Sequence, residues 1–358
     1  MILTAKHHDG FCLWPSAVTT HSVRSSPWRG GQGDVVREFV DAARAEGLEP
    51  GLYLSPWDRH ERSYGDSPRY NDFYCAQLTE LLTRYGPLVE IWFDGANGEG
   101  PNGRKQVYDW DRYHRLIRRH QPRALIFSDA GPDLRWVGNE DGSAGDPNWC
   151  PVDPAAVPYP GASGDAVTAE LQHGDPHGSA WRPGEADVSI RPGWFWHPAE
   201  DGRVKSADQL LQLYLSSVGR NAGLLLNVPP NRAGLLSRQD VDALKDFRSL
   251  RGRCFDDDLA RGGSVHPFRG GLSVRLPAPV TFDTVSVGEA IAHGQRAEAF
   301  TIEGGEGTRR RALATGTTIG YRRILRIPPV TTDAVHVSTR STLGAPVIAE
   351  LSLYRTPA

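Results

Sequence analysis

Seven times before residue 250, a short apolar run stops abruptly at a polar cluster, and stretches with helical spacing separate most of these runs. Residues 2–5 lead into Lys6-His7-His8-Asp9-Gly10, 48–54 into Ser55-Pro56-Trp57-Asp58, and 88–93 into Asp94-Gly95. Residues 124–128 end at Asp129, 134–138 at Asn139-Glu140-Asp141, 185–190 just before Trp194, Trp196 and His197, and 223–228 at Pro229-Pro230. Continuous apolar runs of this length read as strands buried on both faces. Between them, Val35, Val36, Phe39, Val40 and Ala43 recur at helical spacing behind Asp34, a good cap, and stop at Gly47. Further helices are expected over 68–85, 110–120, 210–218 and 238–250. Strands that alternate with helices and end in polar clusters predict an α/β chain of the (β/α)8-barrel type, with its chemistry at the strands' carboxyl ends. Such a barrel needs one more strand, so the expectation is a barrel lacking its first βα unit, truncated at the amino terminus. The Pro-, Gly- and Asp-rich stretch 142–178 is expected to be one long functional or mobile loop.

Beyond about Cys254 the texture changes to short β-rich runs, at 273–276, 284–287, 324–327, 334–338 and 348–354, without helical periodicity. This predicts two domains: a catalytic barrel over 1–252 and a β-sandwich over 253–358. No aromatic cluster marks a binding face on the second, so its expected role is to brace the first. A net charge of -3, from 40 basic and 43 acidic residues, argues against nucleic acid or an anionic membrane as partner. The four cysteines have no metal-ligand spacing and read as buried thiols. No membrane-spanning run is read along the sequence, and neither a cofactor nor a metal is expected.

On a barrel, His7, His8, Asp58, Asp94, Asp129, Glu140 and Glu185 would converge on one rim. Histidine donors, tryptophan faces and several carboxylates suit a polyol with one apolar side. Two carboxylates can cleave a glycoside, one attacking the anomeric carbon and the other protonating the leaving oxygen. Asp94 follows the most hydrophobic strand and is the expected nucleophile. Glu140 is the leading acid, with Glu185, Asp129 and Asp58 left open. Adjacent histidines at a strand end point to opposite sides unless the chain turns at once, and Asp9-Gly10 supplies a turn.

Five separated motifs sharpen this. Lys6-His7-His8-Asp9-Gly10-Phe11-Cys12-Leu13-Trp14-Pro15-Ser16, Gly51-Leu52-Tyr53-Leu54-Ser55-Pro56-Trp57-Asp58, Trp92-Phe93-Asp94-Gly95, Trp136-Val137-Gly138-Asn139-Glu140 and Leu225-Leu226-Asn227-Val228-Pro229-Pro230 together resemble the retaining α-L-fucosidases of glycoside hydrolase family 29. The resemblance implies an exo-acting, retaining hydrolase of fucosylated oligosaccharides or glycoconjugates. It makes Asp94 the nucleophile and, by likeness to the α-1,3/4-selective branch, Glu140 the acid/base. It assigns His7 and His8 to fucose hydroxyls and Tyr53 and Trp92 to the wall beside the C6 methyl. Trp57, Asp58, Trp194 and Trp196 fall towards the aglycone. The family's first strand, with a further fucose-binding histidine, has no counterpart here, so the alternative is a weak or inactive fucose-binding relative.

Overall fold

The apolar run at the start of the chain forms β1 (Ile2–Lys6). After it come α1 (Val35–Ala45), β2 (Gly51–Leu54), α2 (Ser67–Arg84), β3 (Glu90–Trp92), α3 (Trp110–His120), β4 (Leu125–Ser128) and β5 (Leu134–Trp136) in the computed structural model, which describes residues 1–357. These strands pair in parallel and in chain order, with Leu3 beside Leu52, Leu52 beside Ile91, Ile91 beside Ile126 and Phe127 beside Leu134. Local chemistry explains the helix bounds: the Asp34 carboxylate accepts from the Arg37 amide to start α1, and Gly47, at φ 71°, lies just past its end. Asp109 likewise caps α3 by accepting from the Arg112 amide.

The chain divides into two compact units, Met1–Arg135 with Val157–Gly164, and Trp136–Ala156 with the chain from Asp165 onward. In the first, the core packs the parallel strands against α2 and α3. Phe93, one residue past β3, is wholly buried against Tyr74, Trp110 and Tyr113. Burying a side chain of this size contributes about 1.5–3 kcal/mol. That burial fixes where the next residue, Asp94, leaves the sheet.

The second unit contains β6 (Pro151–Val152), α4 (Asp165–His173), β7 (Ala180–Trp181), β8 (Gly184–Ser189), α5 (Ala207–Ser216), β9 (Ala222–Asn227) and α6 (Arg238–Phe255). Strands β8 and β9 are parallel, with Glu185 opposite Gly223 and Ser189 opposite Asn227. The seven expected strands are thus present as β1 to β5, β8 and β9, in a mixed α/β chain. The stretch 142–178 is not one irregular loop: α4 forms within it, with Leu171 buried, and β6 pairs with β7.

The carboxyl-terminal residues add β10 (Ser264–Phe268), β11 (Gly271–Glu289), β12 (Ala299–Gly304), β13 (Arg311–Gly316), β14 (Arg323–Arg340) and β15 (Ile348–Tyr354). They make a six-stranded antiparallel sheet in the order β10-β11-β14-β12-β13, with β15 also paired to β11. Runs read as separate strands at 273–276 and 284–287 are two ends of β11, and those at 324–327 and 334–338 are two ends of β14. Register shifts between Arg275 and Val280 and between Phe282 and Thr284 let one long strand pass the prolines that looked like breaks. Phe282, Val285, Val287, Ile302 and Val335 centre its core.

Candidate active site

Asp94 stands at the carboxyl end of β3, and each of its oxygens has a partner. Oδ1 accepts from the Ala96 amide at 2.7 Å, and Oδ2 accepts from the Tyr53 hydroxyl at 2.9 Å. The carboxylate is therefore fixed, yet its side chain remains 26% exposed. His8 Nε2 lies 3.7 Å from Oδ2. The other nitrogen of that ring, Nδ1, is 2.7 Å from Ser55 Oγ, which donates to the Trp57 carbonyl at 2.8 Å. With the serine proton so used, Nδ1–H is the donor to Ser55.

The two histidines do come to the same side. A register shift between Thr4 and Lys6 ends β1, the Gly10 amide donates to the His7 carbonyl at 3.0 Å, and Gly10 adopts φ 78°. The turn predicted from Asp9-Gly10 brings the His7 and His8 rings together, centroids 4.0 Å apart and planes tilted by 42°. Burial lowers the pKa of both, to about 4 for His8, and the charge of Asp94 only partly offsets it. Both rings are neutral near pH 7, so His8 presents Nε2 as an acceptor for a hydroxyl group. Around them stand aromatic faces: Trp57 at 4.7 Å from the His8 ring, Tyr53 at 5.8 Å from His7, and Trp92 at 5.2 Å from Tyr53. Trp92 in turn stacks on Phe127 at 4.4 Å, and Trp57 Nε1 donates to the Glu99 carbonyl, which fixes both indoles. Burial and the Asp94 charge push the Tyr53 hydroxyl's pKa far up, so it remains a proton donor.

Two further acids of this unit are placed differently. Asp58 is buried, and its oxygens are taken up by Lys6 Nζ at 3.1 Å and the amides of His60 and Glu61. Burial opposes its charge, but Lys6 and the two amides outweigh that and lower its pKa. Lys6 also donates to Gln77 at 2.9 Å. Asp129 accepts from the Gly161 amide at 2.8 Å, and a Cβ on Gly95 would collide with its carboxylate. Burial raises the Asp129 pKa to about 6, and neighbouring Asp94 adds to the effect.

In the second unit, Glu140 sits on an exposed turn after β5. Gly138 takes φ 80°, and the Asn139 side chain donates to the Ser143 carbonyl at 2.8 Å while accepting from the Asp141 amide at 3.1 Å. Trp194 Nε1 donates to Glu140 Oε2 at 3.3 Å. A cavity of about 230 Å³ is lined by Glu140, Val188, Ser189, Arg191, Trp194 and Lys205, among others. Trp196 Nε1 is buried and hydrogen-bonds to no described residue. Glu185 does not belong with this group: it is the second residue of β8, at the opposite end of the strand from Ser189. Its expected place on the rim is therefore corrected, because a strand's first residues lie a strand's length from its carboxyl end. Among the described residues, no cluster of three or more His, Cys, Asp or Glu could hold a metal ion, and no helix is long and apolar enough to cross a membrane.

Sequence reasoning passed over Ser55, Asn139, Ser189, Arg191 and Asn227. Ser55, Asn139 and Asn227 lie inside the quoted motifs without a role assigned to them, Ser189 and Arg191 lie at the end of the 185–190 run, and position at a strand end was the available signal for all five.

Known proteins resemble this chain along nearly its whole length. The family model described as alpha-L-fucosidase matches residues 1–149 and 155–249. Alpha-L-fucosidase 1 of Arabidopsis thaliana is 43% identical over 99% of this chain and 75% of its own. A solved glycoside hydrolase 29 family member from an unknown rumen bacterium superposes with a TM-score of 0.91 at 38% identity, covering 100% of this chain and 66% of that one. A Ruminococcus gnavus fucosidase of the same family, solved in complex with fucose, gives a TM-score of 0.87 at 30% identity, with 99% and 82% covered. The chain belongs to the α-L-fucosidases of glycoside hydrolase family 29.

Proposed function

We propose that this protein is an exo-acting, retaining α-L-fucosidase that removes terminal α-1,3/4-linked fucose from oligosaccharides or glycoconjugates. In this reading an Asp94 oxygen attacks the anomeric carbon while the bond to the leaving oxygen breaks and Glu140 supplies the proton. Water then attacks the fucosyl-enzyme, Glu140 takes its proton, and fucose leaves with its original configuration. The observation that carries the reading is the setting of Asp94: fixed through both oxygens, partly exposed, and beside a neutral imidazole with an open acceptor. Family membership and the fucose complex of the Ruminococcus gnavus relative support fucose as the sugar.

His7 and His8 are assigned to fucose hydroxyls, and Tyr53 and Trp92 to the apolar wall beside the C6 methyl. Trp57, Trp194 and Trp196 are assigned to the aglycone side. Asp58 acts from behind, holding the loop that carries Trp57 through the His60 and Glu61 amides. Linkage selectivity rests on the Val137-Gly138-Asn139-Glu140 motif. We also read 1–252 as the catalytic domain and 253–358 as a non-catalytic β-domain.

The test is Asp94→Ala with an aryl α-L-fucoside. Activity should fall by about ten-thousandfold, and azide should restore aryl release with the β-fucosyl azide as product. An Asp94→Ala enzyme that still turns over at the parent rate would overturn the assignment.

A further inference from the structure

Just past β8 the chain buries a cation that the proposed chemistry does not use. The Arg191 side chain is fully inaccessible, and its guanidinium joins three segments. Nε donates to both oxygens of Asp240, at 3.0 and 3.1 Å, in the first turn of α6. Nη2 donates to Asp201 at 2.8 Å, within the short 3-10 helix Pro198–Arg203. Nη1 donates to the His197 carbonyl at 3.4 Å. Burying an arginine is costly unless it is fully paired, and pairing it to two carboxylates makes the loop that carries it hard to displace.

That loop carries Trp194. Its remaining bonds are also fixed: Ser189 Oγ donates to the Gly193 carbonyl at 2.7 Å, and Asn227 Nδ2 donates to Ser189 Oγ and to the Trp194 carbonyl at 3.0 Å each. Lys205 Nζ donates to the Ser189 carbonyl at 2.7 Å. The indole Nε1 is thereby held 3.3 Å from Glu140 Oε2. Glu140 itself is an exposed glutamate on a turn, with three rotatable side-chain bonds to hold in place.

We infer that Arg191 is a positioning residue for Glu140, acting through the 190–197 loop and the Trp194 indole. The inference rests on the reading of Glu140 as the acid/base. A carboxyl that must deliver a proton to one oxygen gains from a fixed partner, because a displacement of about 1 Å costs on the order of a hundredfold in rate. Loosening the anchor should therefore harm reactions that need the proton and spare those that do not.

The experiment compares two substrates on the full chain: a fucosyl disaccharide, whose leaving alcohol needs protonation, and dinitrophenyl α-L-fucoside, whose leaving phenolate does not. The variants are Arg191→Lys and Asp201→Asn, with Glu140→Ala as reference. Asp201→Asn keeps the buried Arg191–Asp240 pair and so guards against a simple folding failure. For both anchor variants kcat/KM on the disaccharide should drop about tenfold, with less than about a twofold change on the aryl substrate. Parallel loss on the two substrates with a lowered Tm would mean a merely structural role and would overturn the inference. If Glu140→Ala separates the two substrates and Asp201→Asn does not, the inference alone fails. If Glu140→Ala does not separate them, the acid/base reading fails and takes the inference with it.

Discussion

The two carboxylates at the centre of the proposed reaction are held in opposite ways. Asp94 follows a buried strand and is fixed by direct bonds from Tyr53 and Ala96, with the wholly buried Phe93 behind it. Glu140 lies on an exposed turn and receives one bond of 3.3 Å from an indole, whose own loop is anchored by a buried arginine. The difference matches the work asked of each. A nucleophile must present one oxygen at one place, so rigid placement by the sheet serves it. A group that gives and then regains a proton must stay open to the leaving oxygen and to water, so its support comes from a distance.

The comparison can be broken most forcefully from beneath the first region. Lys6 and Asp58 form a buried pair with side chains 0% and 2% exposed. Asp58→Ala leaves that lysine with Gln77 and the face of Tyr74 but no counter-charge, and should lower stability by about 3–5 kcal/mol, read as a reduced denaturant midpoint. An Asp58 that bound only substrate would instead raise KM and leave the midpoint alone. The contrast here is with the second region, where Asp201 is 31% exposed and its loss should be mild for stability.

A smaller effect comes from His8. Its folded pKa of about 4 lies below the ordinary 6.5, so between those values the unfolded chain binds a proton that the folded ring refuses. The stability this gives is full above pH 6.5 and is lost as pH falls towards 4, with His7 contributing in the same direction. The His8 share of the unfolding free energy should fall by about 3 kcal/mol over that window, read as the difference between parent and His8→Gln, because Asp129, raised to about 6, gains stability as pH falls and opposes it. Denaturant titrations at several pH values check this; an unchanged slope in the variant would remove His8 from the account.

The smallest effect sharpens the role of direct support. Tyr53→Phe keeps the ring against Trp92 and deletes only the hydroxyl that donates to Asp94. It should reduce kcat/KM by about tenfold, equally on a disaccharide and on an activated aryl fucoside, since nucleophilic attack is common to both. The Arg191 and Asp201 variants should separate those substrates, and Tyr53→Phe should not.

Much of this was legible in the residues, and the misses have physical causes. The seven strands could be read because parallel strands buried on both faces leave continuous apolar runs, and Asp94 and Glu140 stood out as acids directly after such runs. The His7-His8 turn followed from Gly10, which takes the positive φ that the turn requires. Asp58 looked like one more rim carboxylate, because nothing local announces that Lys6, 52 residues earlier, pairs with it. The β11 and β14 strands were cut in pieces, because prolines and bulges mimic turns when only neighbouring residues are considered. Arg191 was passed over for the same reason as Lys6: its partners Asp201 and Asp240 lie 10 and 49 residues away.

The central claim is that Asp94 forms the covalent bond to fucose. Incubation with a fluorinated, slowly hydrolysed fucosyl fluoride, followed by peptide mapping, tests it directly. The account predicts one fucosyl adduct per chain, on the Asp94 carboxylate. An adduct on Asp129 or Glu140, or turnover of the reagent without any adduct, would contradict it.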